Sequence, residues 1–237
     1  MNLDKISVVI LAGGLGTRLK NFRGSNVAKV LLEINGIPMI IKQIEQVINW
    51  GFDLNNIVCV TNPSIHEIIS RVTKDKFGTK IKYVTQPKPL GISHAFSFAE
   101  DYVSSDYVLL VLGDNFFEQN PFAGLSLNSD VVGNIFTKRV NNPKDFGVAE
   151  VSGGRIISLE EKPEAPLSDL AVVGVYLYRR DIFEKIKSLK PSERGEYEIT
   201  DLNKILIDEG GISHKEISGW WIDAGTPERI LELEAKN

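Results

Sequence analysis

The chain has 237 residues, of which 43% are hydrophobic and 24% charged, a balance typical of a globular protein rather than a disordered or fibrous one. Its net charge of −4 argues against nucleic-acid binding through a basic surface. No run of about 18 apolar residues predicts a membrane span. The amino-terminal residues show neither a basic leader nor a cleavage-like segment, so we expect a cytoplasmic protein. The length and composition predict a single domain, residues 1–237.

Three short apolar runs, at 8–12, 57–60 and 108–112, predict strands that are buried on both faces of a parallel sheet. Apolar residues repeat at helical spacing in the segments 40–48, 65–72 and 92–103. Strands and helices therefore alternate through the first half of the chain. This alternation predicts an open α/β sheet that binds ligands beyond the carboxyl ends of its strands.

The second half of the chain has a different pattern. It contains strand-like stretches at 131–140, 148–151, 155–161 and 170–178. Helical patterns follow at 181–189, 198–209 and 226–235. We therefore expect an α/β fold of three Rossmann-like layers, with a mostly parallel central sheet and a mixed extension.

A glycine-rich loop with Gly13, Gly14 and Gly16 directly follows the first predicted strand. Glycines let main-chain N–H groups approach phosphates, although a tight turn alone would also require them. The loop does not match a dinucleotide fingerprint, because Leu19 occupies the third glycine position, and the chain contains no Walker A triplet. Cations in an acid-free segment beside the loop favour a triphosphate ligand: Arg18, Lys20, Arg23 and Lys29.

Other conspicuous residues predict structure rather than chemistry. The pair Trp220-Trp221 is typical of core packing. The three histidines lie far apart without the spacing of metal ligands, so we do not expect them to bind a metal: His66, His94 and His214.

Eight segments carry a specific resemblance through their order and spacing: 11–19, 28–32, 86–91, 112–115, 146–148, 159–163, 195–201 and 221–226. Together they resemble the sugar-phosphate nucleotidyltransferase family, most closely its glucose-1-phosphate thymidylyltransferases. The resemblance covers essentially the whole chain and implies the three-layer nucleotidyltransferase fold. It also implies that residues 1–128 bind the nucleotide and residues 129–237 bind the sugar phosphate.

The resemblance assigns the nucleotide-binding residues. The residues expected around the nucleotide are Leu11, Ala12, Gly13, Gly14, Gly16, Thr17, Gln86, Pro87 and Gly91. Arg18 and Lys29 would hold the triphosphate and the departing pyrophosphate as catalytic cations. Gln86 and Gly91 would face the base, where a side-chain amide and a main-chain amide can read a pyrimidine edge.

The resemblance also assigns the sugar-phosphate and metal sites. The expected sugar pocket contains Phe146, Gly147, Glu161 and Val172. Lys162, a third catalytic cation, and Arg194 would hold the phosphate of the sugar. Asp114 and Asp223 correspond to the family's magnesium-binding carboxylates, which makes Mg²⁺ the expected cofactor because it prefers hard oxygen ligands.

The implied reaction joins a nucleoside monophosphate, from dTTP, to a sugar 1-phosphate such as glucose 1-phosphate and releases pyrophosphate. Two departures from the family pattern are Ala28, at a position where proline is common, and the segment 89–91, which resembles the uridylyl and guanylyl forms. Uridylyl transfer therefore stays an alternative, as does a non-catalytic regulatory subunit of the same fold. A nicotinamide oxidoreductase is disfavoured by the failed fingerprint, and the sequence leaves open whether the chain forms a homo-oligomer.

Overall fold

The structure is a computed structural model that describes residues 2–14, 16–19, 22–24, 27–125 and 131–236, with residues 17 and 24 described by their backbone alone. Its strands are β1 Ile6–Leu11, β2 Glu33–Ile34, β3 Ile37–Pro38, β4 Ile57–Thr61, β5 Lys82–Thr85, β6 Tyr107–Leu112, β7 Asn115–Phe117, β8 Gly133–Arg139, β9 Gly147–Ser152, β10 Arg155–Glu161, β11 Leu170–Arg179, β12 Ile212–Glu216 and β13 Trp221–Asp223. Its α-helices are α1 Met39–Asn49, α2 His66–Phe77, α3 Ile92–Ser97, α4 Ile182–Lys187, α5 Ile199–Asp208 and α6 Pro227–Lys236.

The central sheet has a parallel block and an antiparallel extension. Strands β6, β1, β4 and β5 lie side by side and parallel. Strand β11 runs antiparallel to β6 on one edge and to β8 on the other, and β12 pairs in parallel with β8. The hairpin of β9 and β10 joins the sheet through β11. The expected α/β fold with a mostly parallel sheet and a mixed extension is therefore confirmed.

Helices cover both faces of this sheet because its central strands are apolar on both sides. Val8 and Ile10 of β1 face a cluster that contains the buried residues of α1 and α2. Val9 faces the opposite cluster, which contains buried residues of α3, α4 and α5. The side chains of Val8, Val9 and Ile10 are fully buried, so the sheet forms the middle layer of three.

The bounds of several predicted elements differ from the structure. The predicted helix at 92–103 ends at Ser97, and a short 3-10 helix, Glu100–Tyr102, follows it. Ala99 and Val103 are nevertheless buried, so their helical spacing reflects burial against the sheet rather than one continuous helix. The strand predicted at 131–140 is confined to β8, two residues shorter at its start and one shorter at its end.

Strands β1, β4 and β6 all end at one edge of the sheet, since Leu11 pairs with Val60 on one side and with Leu112 on the other. The segments that follow these three strands therefore meet at this edge. In the described part of the chain, no helix has the length and apolar character needed to cross a membrane. The proposed division into halves at residue 128 stays a prediction, since strands from both halves share one continuous sheet.

Candidate active site

Two neighbouring cavities lie at the carboxyl edge of the parallel strands. The glycine-loop cavity, about 280 Å³, is lined by Leu11, Gly13, Gly14, Lys29, Val30, Gln86, Pro89, Gly91, Ile92, Ala95, Leu112, Asp114 and Glu196. The Glu161 cavity, about 140 Å³, is lined by Ile92, Leu112, Asn115, Asp145, Phe146, Gly147, Leu159, Glu161, Lys162, Val172, Gly174, Tyr176, Ile199, Thr200, Asn203, Trp221 and Asp223. Ile92 and Leu112 line both cavities. The two spaces therefore adjoin.

The glycine loop packs tightly against its neighbours. The Asn62 amide donates to the Gly13 carbonyl oxygen at 2.8 Å, which ties the loop to the end of β4. Gly16 has φ +60°, and a Cβ atom there would lie 2.6 Å from the Lys29 Cβ. Only glycine allows this conformation and this approach, so the loop and Lys29 are packed together.

Not every predicted loop residue reaches the cavity. Ala12 is fully buried, and its N–H donates to the Val60 carbonyl at 2.7 Å, so it continues the sheet instead of facing a ligand. Thr17 begins a 3-10 helix that ends at Leu19, but its side chain lies outside the described residues. Arg18 in the same helix is exposed and does not line either cavity. Lys20 of the predicted cationic segment also lies outside the described residues.

Lys29 and Asp114 form an ion pair at the centre of the site. The Lys29 ammonium contacts Asp114 Oδ2, and the Asn115 amide donates to Asp114 Oδ1 at 2.8 Å. Burial by itself raises the pKa of Asp114, but the charge and hydrogen bond of Lys29, with the Asn115 hydrogen bond, outweigh burial and lower it. Asp114 is therefore held ionised.

Asp223 lies beside Asp114 because β13 pairs with β7. In this ribbon Asp223 is opposite Asn115, and the Ala224 N–H donates to the Asp114 carbonyl oxygen at 2.8 Å. Burial, then the charge of Asp114, raise the pKa of Asp223 to about 6 against the opposing charges of Lys29, Arg229 and Arg18. The structure thus brings two carboxylates separated by 109 positions (223 − 114) to the junction of the cavities.

A buried asparagine organises this junction. Asn115 Oδ1 accepts from the Gly174 N–H at 2.9 Å and from the Trp221 indole N–H at 2.7 Å. Its carbonyl oxygen accepts from the Gln46 amide at 3.2 Å, and Gln46 Oε1 accepts from the Phe117 N–H at 2.8 Å. Asn115 therefore joins β7, β11 and β13 while its amide nitrogen orients Asp114.

Two residues predicted to face a base, Gln86 and Gly91, line the glycine-loop cavity. Gln86 is buried at the end of β5, and Gly91 precedes α3 with φ +97°. A Cβ atom at Gly91 would lie 2.8 Å from the Tyr197 backbone, so this position also requires glycine. Pro87 is exposed and is not part of the cavity lining, where Pro89 is found instead.

The sugar-pocket residues predicted from the resemblance come together in the Glu161 cavity. Glu161 Oε2 accepts from the Thr200 hydroxyl at 2.9 Å, and Oε1 lies 3.4 Å from the Lys162 ammonium. A Cβ atom at Gly147 would lie 3.3 Å from Glu161 Oε2, so the glycine leaves room for this carboxylate. Phe146 and Val172 also line the cavity.

Lys162 has an unusual backbone conformation. Its φ of 45° lies in the left-handed region, and its N–H donates to the Phe146 carbonyl at 3.0 Å. A non-glycine residue with positive φ requires support from its surroundings and often occurs at functional sites. The bond to Phe146 continues the pairing of β9 and β10 just beyond Gly147 and Glu161.

Two arginines differ from the sequence-based expectation. Arg194 is exposed and lies 3.7 Å from Glu196 and 3.5 Å from Glu198, outside the lining of both cavities. Arg229, which no sequence motif indicates, has its guanidinium 4.7 Å from the centre of the Phe146 ring and 4.0 Å from Asp145. It therefore contacts the wall of the Glu161 cavity from α6.

Both tryptophans pack against the core as predicted, and Trp221 also takes part in the site. Trp220 is partly buried against the cluster beneath α6, in agreement with that prediction. Trp221 packs against the main core cluster and also lines the Glu161 cavity, where its ring lies 5.1 Å from the Phe146 ring between centroids and its indole N–H donates to Asn115. Its role in the cavity wall depends on the pairing of β13 with β7, which the sequence pattern does not reveal.

An open parallel sheet with a glycine loop, a lysine and paired carboxylates at its carboxyl edge defines a class of α/β proteins that bind nucleotides. Residues 7–237 match the nucleotidyl transferase family, so the chain belongs to that family of enzymes. It is 39% identical over 233 residues to a glucose-1-phosphate thymidylyltransferase from Neisseria meningitidis. The aligned residues cover 94% of this chain and 80% of the relative.

Solved structures show the same fold. A Bacillus anthracis protein described as a glucose-1-phosphate thymidylyltransferase is 36% identical, with a TM-score of 0.85 over 98% of this chain and 94% of its own. An inositol-1-phosphate CTP transferase from T. maritima is 18% identical, with a TM-score of 0.84 over 98% of this chain and 95% of its own. This second likeness shows the fold alone.

Proposed function

We propose that this enzyme transfers a nucleoside monophosphate from a nucleoside triphosphate to a sugar 1-phosphate and releases pyrophosphate. The observation that carries the proposal is the junction of the two cavities at Lys29, Asp114 and Asp223. A nucleotide in one cavity and a sugar phosphate in the other would bring their phosphates together there. The names of the N. meningitidis and B. anthracis relatives support this reaction.

On the nucleotide side, the main chain of Gly13 and Gly14 would approach the phosphates. Lys29 would neutralise the triphosphate, and the exposed Arg18 would hold the departing pyrophosphate from the loop. Gln86 and Gly91 would contact the base at the other end of the cavity. Each of these roles follows the chemistry of the group: N–H donors and cations for phosphate, amides for a base edge.

Asp114 and Asp223 fit a magnesium ion by the chemistry of their oxygen donors. The described residues contain no cluster of three or more acidic, histidine or cysteine ligands, so the protein would supply only two carboxylates. Magnesium is commonly held in this way, with phosphate and water oxygens completing its shell. The bound ion would neutralise phosphate charge, and it would relieve the repulsion from Asp114 that, after burial, raises the pKa of Asp223. We then expect Lys29 to turn from Asp114 to the phosphates.

On the sugar side, Glu161 would accept hydrogen bonds from sugar hydroxyls, with its second oxygen fixed by Thr200. Lys162 would hold the phosphate of the sugar from the same strand end. Phe146, Gly147 and Val172 would shape the pocket. Arg194 would reach the phosphate only after leaving Glu196 and Glu198, so its assignment depends on movement of its side chain.

The reaction requires no general base, because the attacking oxygen of a sugar 1-phosphate is already anionic. The residues instead bring two anions together and stabilise the charge that develops during in-line attack on the α-phosphorus. Lys29 lines one cavity and Lys162 lines the other, so the two cations are suited to bringing the two anions together at the junction. A non-catalytic subunit of the same fold is disfavoured, because such a subunit would not need both lysines and both carboxylates in place.

For the substrates, we propose dTTP and glucose 1-phosphate, as in the name of the N. meningitidis relative, with UTP as the second nucleotide. The test is pyrophosphate release with dTTP, UTP, CTP, GTP and ATP against the 1-phosphates of glucose, mannose and N-acetylglucosamine. The proposal predicts release with dTTP and UTP that requires both a sugar phosphate and magnesium. A preference for a purine triphosphate would refute the base assignment, and no release with any pair would refute the reaction.

A further inference from the structure

The Gln86 amide is fixed by two acceptors at the base end of the glycine-loop cavity. Its Nε2 atom lies 3.3 Å from the Gly91 carbonyl oxygen and 2.9 Å from His94 Nδ1. A carbonyl oxygen can only accept, so the amide must turn its nitrogen, not its oxygen, toward Gly91. One amide hydrogen therefore goes to Gly91 and the other to His94.

This arrangement determines the state of His94. The ring accepts at Nδ1 only when it is neutral and carries its hydrogen on Nε2. Burial lowers the pKa of His94, which favours the neutral ring. Tyr197 stacks on the ring at 5.8 Å between centroids, and Phe98 meets it edge-on at 5.0 Å. His94 is therefore a positioned acceptor.

His94 is the stronger of the two constraints on Gln86. The Gly91 carbonyl already accepts from the Ala95 N–H at 3.1 Å, and its contact with Gln86 is the longer one. Without an acceptor at position 94, the amide would be held by that contact alone. A turned amide would then be opposed only by this longer contact, so the preference for the native orientation would weaken.

The fixed amide leaves its oxygen for a ligand. Gln86 lines the cavity, and its Oε1 accepts no hydrogen bond from the described residues. Uracil and thymine carry a hydrogen on ring atom N3, whereas cytosine has a lone pair there. We propose, on the basis of the proposed function, that His94 is a positioning residue for base selection: it holds Gln86 with its oxygen toward the base, which favours uracil and thymine over cytosine.

The test compares two substitutions at position 94. His94→Phe keeps a ring against Tyr197 and Phe98 but removes the acceptor. His94→Gln supplies an amide oxygen that can accept the same Gln86 hydrogen. For each protein, kcat/KM is measured with UTP, dTTP and CTP at saturating glucose 1-phosphate, and nucleotide binding is measured by calorimetry without sugar phosphate. Thermal unfolding checks that the variants fold, and His94→Leu replaces a Phe variant that does not.

The wild type should prefer UTP and dTTP over CTP, and His94→Phe should reduce this preference about tenfold or more, as expected for loss of one aligned hydrogen bond. His94→Gln should retain most of the preference. An unchanged preference in His94→Phe overturns the inference, as does an equal loss with all three nucleotides. Calorimetry separates the role of His94 from the proposed reaction. If the wild type binds UTP and dTTP more tightly than CTP and His94→Phe does not, the inference is supported even when no pyrophosphate is released. A wild type that favours CTP overturns it.

Discussion

The negative charge of Asp223 should destabilise the ligand-free protein. Asp223→Asn removes a charge that burial and Asp114 disfavour, and it preserves the size of the side chain. We therefore expect this variant to be more stable than the wild type when magnesium and nucleotide are absent. Asp114→Asn is the matched control, because Lys29 and Asn115 lower the pKa of Asp114 and its charge stabilises the fold.

The size and sign of the effect follow from the pKa of Asp223. A folded-state pKa of about 6, against an ordinary value of 3.8, means that ionisation is harder in the folded state. The folded protein then binds more protons, so stability falls as pH rises from about 4 to 6. The shift of about two units corresponds to about 3 kcal/mol, which solvent screening of this partly exposed group reduces to about 1–2 kcal/mol. In a chain of this size that is a rise of a few degrees in Tm.

The assay is thermal unfolding in EDTA at pH 7.5 and pH 4.5. At pH 7.5, Asp223→Asn should unfold at a higher temperature than the wild type. At pH 4.5, the difference between the two unfolding temperatures should be much smaller. Asp114→Asn should unfold at a lower temperature. A less stable Asp223→Asn protein, or a difference that does not depend on pH, would refute the electrostatic reasoning.

Substitutions at three further positions test other parts of the site and the core. Lys162→Ala should cost about 3 kcal/mol or more of transition-state stabilisation. It should raise the KM for the sugar phosphate far more than the KM for the nucleotide, and nearly unchanged turnover would refute the assignment. Arg229→Ala should lower kcat/KM for the sugar phosphate. Arg229→Lys should not restore it, because stacking on Phe146 needs a planar guanidinium. Equal activity of both variants and the wild type would exclude this role. Gln43 is fully buried in α1, and its amide has no hydrogen-bond partner among the described residues. Gln43→Met should therefore raise the free energy of unfolding, measured by denaturant titration, by about 1–2 kcal/mol. A loss of stability would show that the amide is hydrogen-bonded in solution.

The strands at the centre of the sheet were predictable because full burial leaves a direct pattern. The apolar runs at 8–12, 57–60 and 108–112 correspond to β1, β4 and β6. Strand β5 lies at the edge of the parallel block and contains Lys82 and Thr85, so the same pattern is absent. Strands β7 and β13 have three residues each, too few for a period to appear.

The site was predictable where a motif lies near a strand end and not where distant segments pack together. The approach of Asp114 to Asp223 came from the family resemblance, since no spacing connects residues so far apart. The contact of Arg229 with Asp145 and Phe146 depends on how α6 packs on the cavity wall. Asn115 was part of a recognised motif, but its bonds to Gly174 and Trp221 require the folded strands.

The most direct test of one metal shared at the junction is turnover against magnesium concentration for the wild type, Asp114→Asn, Asp223→Asn and the double variant. Magnesium would bind through both carboxylates, so each single change should raise the magnesium requirement. Since both would serve one ion, the double variant should lose less activity, in free energy, than the sum of the two single losses. Additive losses, or a single variant with the magnesium dependence of the wild type, would contradict the shared site.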